Sequence, residues 1–186
     1  MKFDETLKSK EVFNYLFEKA QQEGIPLTPM QAIKLVYFSH AWYLGFHSQP
    51  LLNEPIQAWR FGTVIPSLYH SLKIYGSGNI RFPILKDQAK YALSLALGTG
   101  DFPKDEVIYP NLTKEEKAVV DAVWDSYKNF DGITMSNIIH QAGTPWSTIW
   151  NGGHCGRYAV IPDSLIEAYY KRKIKKADDP DDEESK

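Results

Sequence analysis

A single cysteine, Cys155, stands among the 186 residues, so no intramolecular disulfide can form and the chain suits a reducing cytoplasm. Long apolar runs are missing as well. No window approaches the roughly eighteen unbroken apolar residues of a membrane span, and Met1–Glu11 has no apolar signal core. Neither sign of charge is in excess: the formal net charge of -2 gives no general attraction to nucleic acid or anionic lipid. There is no HExxH and no CxxC, and His40 and His47 would share a helical face only if a helix ran through Gly45. Gly76-Ser77-Gly78 lacks the Lys-Ser/Thr that a nucleotide-binding loop requires. The residues imply no metal and no cofactor.

What remains is the profile of a globular protein. With 43% hydrophobic and 24% charged residues, the chain has the size of one ordinary domain and can bury a proper core. Aromatics are the unusual abundance, at 13% with five Trp and eleven Tyr. Such residues dominate both cores and protein interfaces.

Helix punctuation is frequent. Ser9 can cap a helix that carries Val12, Phe13, Leu16 and Ala20 on one face, with Gly24 placed to end it. Thr28-Pro29-Met30-Gln31 is a capping box with Pro at the first helical position. It opens a helix over about Pro29–Leu44, ended by Gly45, whose apolar residues occur nearly all round; this predicts a central buried helix. Pro55–Phe61 reads as a short strand, set at a sheet edge by its Pro, and Pro66–Tyr75 as a helix closed by Gly76. Residues 77–110 are crowded with breakers and have the character of an insertion; within them Tyr91–Leu97 fits a strand by alternation and a helix by propensity. A second capping box at Thr113–Glu116 opens a helix with Ala118, Val119, Ala122, Val123 and Trp124. Thr134 caps a short helix after the Asp131-Gly132 turn, and Thr144-Pro145 starts another with Trp146, Ile149 and Trp150. A strand over Tyr158–Ile161 and a helix over Pro162–Ile174 follow. The expected fold is mainly α with a small β component, a compact helical domain over residues 1–176 around the central helix. Residues 177–186 form an acidic tail whose composition predicts disorder.

Three kinds of chemistry compete for these residues. Cys155 adjoins His154 in a Gly-rich loop that His140 could approach, yet no cysteine-hydrolase signature surrounds it, so a bland loop thiol is the expectation. Lys171, Arg172, Lys173, Lys175 and Lys176 make a basic run, but the acidic tail directly after it competes for those charges. That favours a solvated helix end over a nucleic-acid site. The third candidate is a protein interface. Tyr43, Arg60, Tyr69, His70 and Lys73 are flanked by polar residues around the Trp59–Gly62 turn and the Pro66 helix, whereas Trp42, Trp59 and Leu72 are read as inward. A Tyr/Arg/His surface beside a rigid scaffold has the composition of an interface hot spot.

An ordered set of segments carries a family likeness: Lys34–Leu44, Pro50-Leu51, Glu54–Gly62, Val64–His70 and Lys73–Gly76, with weaker echoes at His140, Thr144-Pro145-Trp146 and Ile161–Tyr170. In these the chain resembles the Panacea family of SocA-like antitoxin domains, also known as phage-associated proteins. The likeness spans most of the chain except residues 77–110. One departure is Thr63, where the family usually has Pro after the turn glycine, a change that loosens the turn without removing it. The resemblance implies a non-enzymatic, cytoplasmic antitoxin that neutralises a cognate toxin by direct binding. Its alternative mode is that of an adaptor delivering the toxin to a AAA+ protease. No catalytic residues come with the family. The rival class is a hydrolase or nuclease of unknown mechanism.

Overall fold

The computed structural model describes residues 6–98, 102–154, 156 and 158–178. Cys155, Arg157 and the acidic tail beyond residue 178 lie outside the described residues. The fold is mainly α with a small antiparallel sheet, and none of the described helices is long and apolar enough to cross a membrane.

The first helix, α1 (Leu7–Glu23), ends at Gly24 with φ 69, as its sequence requires. It does not start with a Ser9 cap. Thr6 stands at the N-cap position, and Ser9 lies one turn inside, wholly buried, bonding the Thr6 carbonyl and the Glu54 carboxylate. Glu54 also accepts bonds from the Ser67 side chain and backbone, which hold its carboxyl down against the stronger upward push of burial. Helix α3 (Pro66–Leu72) has no capping side chain of its own, so this carboxylate meets one of its orphan N–H groups from outside.

The central helix α2 (Pro29–His47) begins at the complete Thr28/Gln31 capping box, and thirteen of its nineteen residues are buried. It runs through Gly45 rather than stopping there, and ends at Ser48 in the left-handed conformation. Gly45 serves a different need, the close approach of the last helix α8 (Asp163–Asp178). His40, wholly buried, accepts from the Leu52 N–H through Nδ1 (3.2 Å) and meets Asp163 Oδ1 through Nε2 (3.1 Å), pinning α8 to α2.

The sheet has the order β2-β1-β3, with β1 (Ile56–Trp59) antiparallel to β2 (Gly62–Val64) and to β3 (Val160–Ile161). The Pro55 strand is therefore central, not at an edge. Pro55 precedes the first paired residue, so its missing N–H costs no ladder bond. After α3, a single 3-10 turn (Lys73–Tyr75) leads to Gly76.

Residues 77–110 contain α4 (Gln88–Leu97), which decides Tyr91–Leu97 in favour of helix. Phe82, Leu85, Leu95 and Val107 make a small core of their own, while Ile80, Ile84 and Ile108 join the main one. Buried Asn14 of α1 holds the segment by donating to the Ile84 and Ile108 carbonyls and accepting from the Ile84 N–H (2.9, 2.7 and 2.7 Å). Helix α5 (Lys114–Tyr127) begins at its capping box and buries Val119, Val120, Val123 and Trp124. Helix α6 (Gly132–His140) is capped by Asp131, not Thr134; the Thr134 N–H donates to Asp131 Oδ1 at 2.7 Å. Thr144 caps α7 (Pro145–Trp150) as expected.

Candidate interaction site

Strands β1 and β2 are joined by a two-residue turn, Arg60-Phe61, with Trp59 facing Gly62 across the ladder. The left-handed step falls on Gly62, at φ 103. Both turn side chains face solvent: Phe61 is 62% exposed, and the Arg60 guanidinium lies 5.5 Å from its ring centre.

Three donors from three helices hold this turn from beneath. Lys34 Nζ of α2 donates to the carbonyls of Phe61 (2.8 Å) and Thr63 (2.9 Å). Ser136 Oγ of α6 donates to the Phe61 carbonyl (3.1 Å), and Trp146 Nε1 of α7 to the Trp59 carbonyl (2.9 Å). The lysine fills the space under Gly62, where any Cβ would sit 2.7 Å from Nζ. A larger residue at position 62 is thus strained by φ and would also push the Lys34 ammonium from its carbonyls. Lys34 is 2% exposed, and no carboxylate pairs with it among the described salt bridges. Burial pulls its pKa down to about 7. His140, beside it, is also held below its usual value, first by burial and then by the Lys34 charge. His140 stacks on Trp146 (4.0 Å between centres), which stacks on Trp150 (5.3 Å). His140 Nε2 and Thr63 Oγ1 are buried without a hydrogen-bond partner among the described residues. With Thr63 at the family's Pro position, the turn is intact, its Trp59, Phe61 and Thr63 carbonyls bonded from beneath.

Beside the turn lies an open groove of about 370 Å³, lined by Ala58, Trp59, Arg60, Trp150, Tyr158 and the backbone of Gly153 and Gly156. Trp59 is half-buried here rather than in the core. Its ring meets Tyr69 (5.0 Å) and Tyr158 (5.5 Å), and its indole N–H donates to Gln57 Oε1 (2.9 Å). Trp42 is also only partly buried, set edge-on against Tyr170 and lining a shallow groove between α2 and α5.

Of the five sequence-named interface residues, Arg60 is in the turn, Tyr69 meets its Trp59 flank, and His70 and Lys73 follow on α3 and the 3-10 turn. Arg60, His70 and Lys73 are exposed, and Tyr69 is half-buried between Trp59 and the His70 ring (5.5 Å). Tyr43 stands apart, with its ring 4.4 Å from His47. Its phenol is raised by burial and by the carboxylates of Glu116 and Glu115 at the start of α5. Sequence reasoning passed over Phe61, Lys34 and Ser136. A signal existed for Lys34, a lone cation between Ile33 and Leu35 in an otherwise apolar helix, because a charge so buried must find acceptors. Trp146 was read as a helix-starting aromatic, and only its indole N–H reveals the clamp.

The described residues contain no group of three His, Cys, Asp or Glu that could hold a metal ion. On α8, Lys171 pairs with Glu167 (2.6 Å), and Lys173 lies 5.4 Å from the Tyr169 ring centre.

Over residues 33–147 the chain matches the family described as "Antitoxin SocA-like, Panacea domain". It is 26% identical over 148 residues to Antitoxin SocA of Caulobacter vibrioides (strain NA1000 / CB15N), covering 80% of this chain and 73% of that protein. No solved structure matches it. The family match spans both ends of the clamp, from Lys34 on α2 to Trp146 on α7, and more than half of the sequence; the chain belongs to the SocA-like antitoxin, Panacea domain family.

Proposed function

We propose that this protein is an antitoxin that neutralises a cognate toxin by direct binding, without chemical turnover, and that the Arg60-Phe61 turn and adjoining aromatic groove are the contact surface. Family membership supports the antitoxin role. The observation that carries the site is the clamped turn. An exposed Phe and Arg sit on a backbone fixed by Lys34, Ser136 and Trp146, so little conformational freedom is lost on docking. Large aromatic and Arg anchors on rigid supports are what interface hot spots consist of.

The test is co-expression with the cognate toxin, sought among small proteins encoded beside this chain, in cells that it arrests. The wild type restores growth and co-purifies with it. Phe61→Ala and Arg60→Ala fold normally but lose rescue. Rescue undiminished in the double variant would move the contact surface elsewhere. Repeating the assay in cells without the AAA+ protease distinguishes direct neutralisation, which persists, from delivery for degradation, which fails.

A further inference from the structure

The chain has 23 acidic residues, and residues 55–86 and 132–162 contain none of them. Spread evenly, about eight would fall in these stretches, so their absence is a charge pattern rather than an accident of composition. The two stretches are far apart in sequence, yet the fold brings part of the first onto the second: α6 packs on β2, and α7 on β1 and β3, while α3 adjoins β1 through the Trp59–Tyr69 ring contact. The clamped turn stands on the face they make.

The four carboxylates that bound the stretches are all engaged within the fold. Glu54 is buried and takes bonds from Ser9 and Ser67. Asp87 caps α4, Asp131 caps α6, and Asp163 holds His40. Exposed on the face are Arg60, His70, Lys73 and His154, with Phe61 at the tip and Ile133 (66% exposed) on α6. Among the described residues, cations on acid-free stretches thus lie near an aromatic groove and a protruding Phe.

From this we propose that the face docks an acidic protein segment: carboxylates on the partner meet Arg60 and Lys73, and an aromatic or branched side chain enters the groove between Trp59, Trp150 and Tyr158. This rests on reading the turn as the toxin-contact surface, and names the chemistry of the partner there. A nucleic acid fits less well. Among the described residues of the face, two exposed fixed cations beside large apolar side chains are few against the roughly six to ten phosphate contacts of a typical binder.

The test uses the full chain and fluorescence anisotropy with three probes: a short Glu/Asp peptide around a Trp-Leu pair, the same peptide with Lys for every acid, and a short oligothymidylate. At low salt the acidic peptide should bind at least about tenfold more tightly than its Lys counterpart, and Arg60→Glu/Lys73→Glu should abolish the preference at unchanged melting temperature. Equal affinity for the two peptides, or a preference that survives the double charge reversal, overturns the proposal. Displacement of the peptide by oligothymidylate would assign the face to nucleic acid and overturn it too. The rescue assay separates this from the antitoxin reading. A peptide preference with Phe61→Ala still neutralising keeps the acidic-partner face and rejects it as the toxin site. No preference, with Phe61→Ala failing to neutralise, does the reverse.

Discussion

Gly45 of α2 comes so near Tyr170 of α8 that a Cβ on residue 45 would lie 2.9 Å from the Tyr170 Cβ and 3.1 Å from Ile174 Cδ1. A glycine inside a helix ordinarily weakens it by about 1 kcal/mol relative to Ala. Here its value lies in what it lacks. The obstacle is partly the Tyr170 backbone, 3.3 Å away, which a rotamer change cannot move. Gly45→Ala should therefore lower stability by about 1–2 kcal/mol, because overpacking outweighs the gain in helix propensity. Urea unfolding measures it; a variant as stable as the wild type would mean that the two helices separate readily.

Lys34 gives the fold a pH dependence whose sign follows from its burial. Its pKa falls from 10.5 to about 7 in the folded state. Between those values the unfolded chain holds a proton that the native chain has released, so stability rises with pH across that window. Below about pH 7 both states are protonated and this slope vanishes. Tyr37 and Tyr170, whose phenols are raised by burial, act in the opposite sense, but only from about pH 10 upward. Denaturation midpoints taken across the window should climb for the wild type and stay flat for Lys34→Met. Parallel profiles would show that the lysine stays charged when folded.

Thr63 is wholly buried and its hydroxyl has no partner among the described residues, which is a cost that its shape does not require. Thr63→Val keeps the volume, removes the orphan oxygen and leaves the carbonyl that Lys34 binds. It should raise stability by about 1 kcal/mol. A loss measured by thermal or urea unfolding would reveal a bound water linking this hydroxyl to its surroundings.

The clamp can be tested apart from the surface it holds. Trp146→Phe retains an aromatic ring against His140 but deletes the N–H that reaches the Trp59 carbonyl. We expect a stability loss of about 1–3 kcal/mol, the cost of leaving one buried acceptor unmet, and a fall in neutralisation although Trp146 is largely buried. Phe61→Ala should show the complementary pattern, with melting unchanged and partner affinity weakened by about 1–3 kcal/mol. If Trp146→Phe left binding untouched, a rigid turn would not be what the partner needs.

Capping explains why so much of the helical framework was legible. The boxes at Thr28 and Thr113 and the caps at Thr144 and Gly24 are local hydrogen-bond devices complete within a few residues. The misread starts have a tertiary or competing cause, since Thr and Ser favour caps over helix interiors and sit inside only when another bond holds them there. Ser9 was drawn inside by Glu54, and Asp131 outcompeted Thr134 for the first turn. The candidate face was only partly legible. Arg60, Tyr69, His70 and Lys73 are close in sequence, on the β1-β2 turn, α3 and the 3-10 turn after it, so their polar flanks could single them out. Tyr43 had the same composition but faces α5, a fact set by how helices cross.

By itself the sequence determined what depends on near neighbours: a helical domain, its central buried helix, the turn at Trp59–Gly62 and the family it belongs to. The tertiary structure decided what depends on partners distant along the chain. It carried α2 through Gly45 because α8 must lie close, put the Pro55 strand between two others, and turned Trp59 outward into a groove. It also joined Lys34, Ser136 and Trp146, from three separate helices, beneath one turn. Periodicity and capping are read along the chain, whereas a buried charge finds its acceptors only once the chain has packed, and there the clamped turn was made.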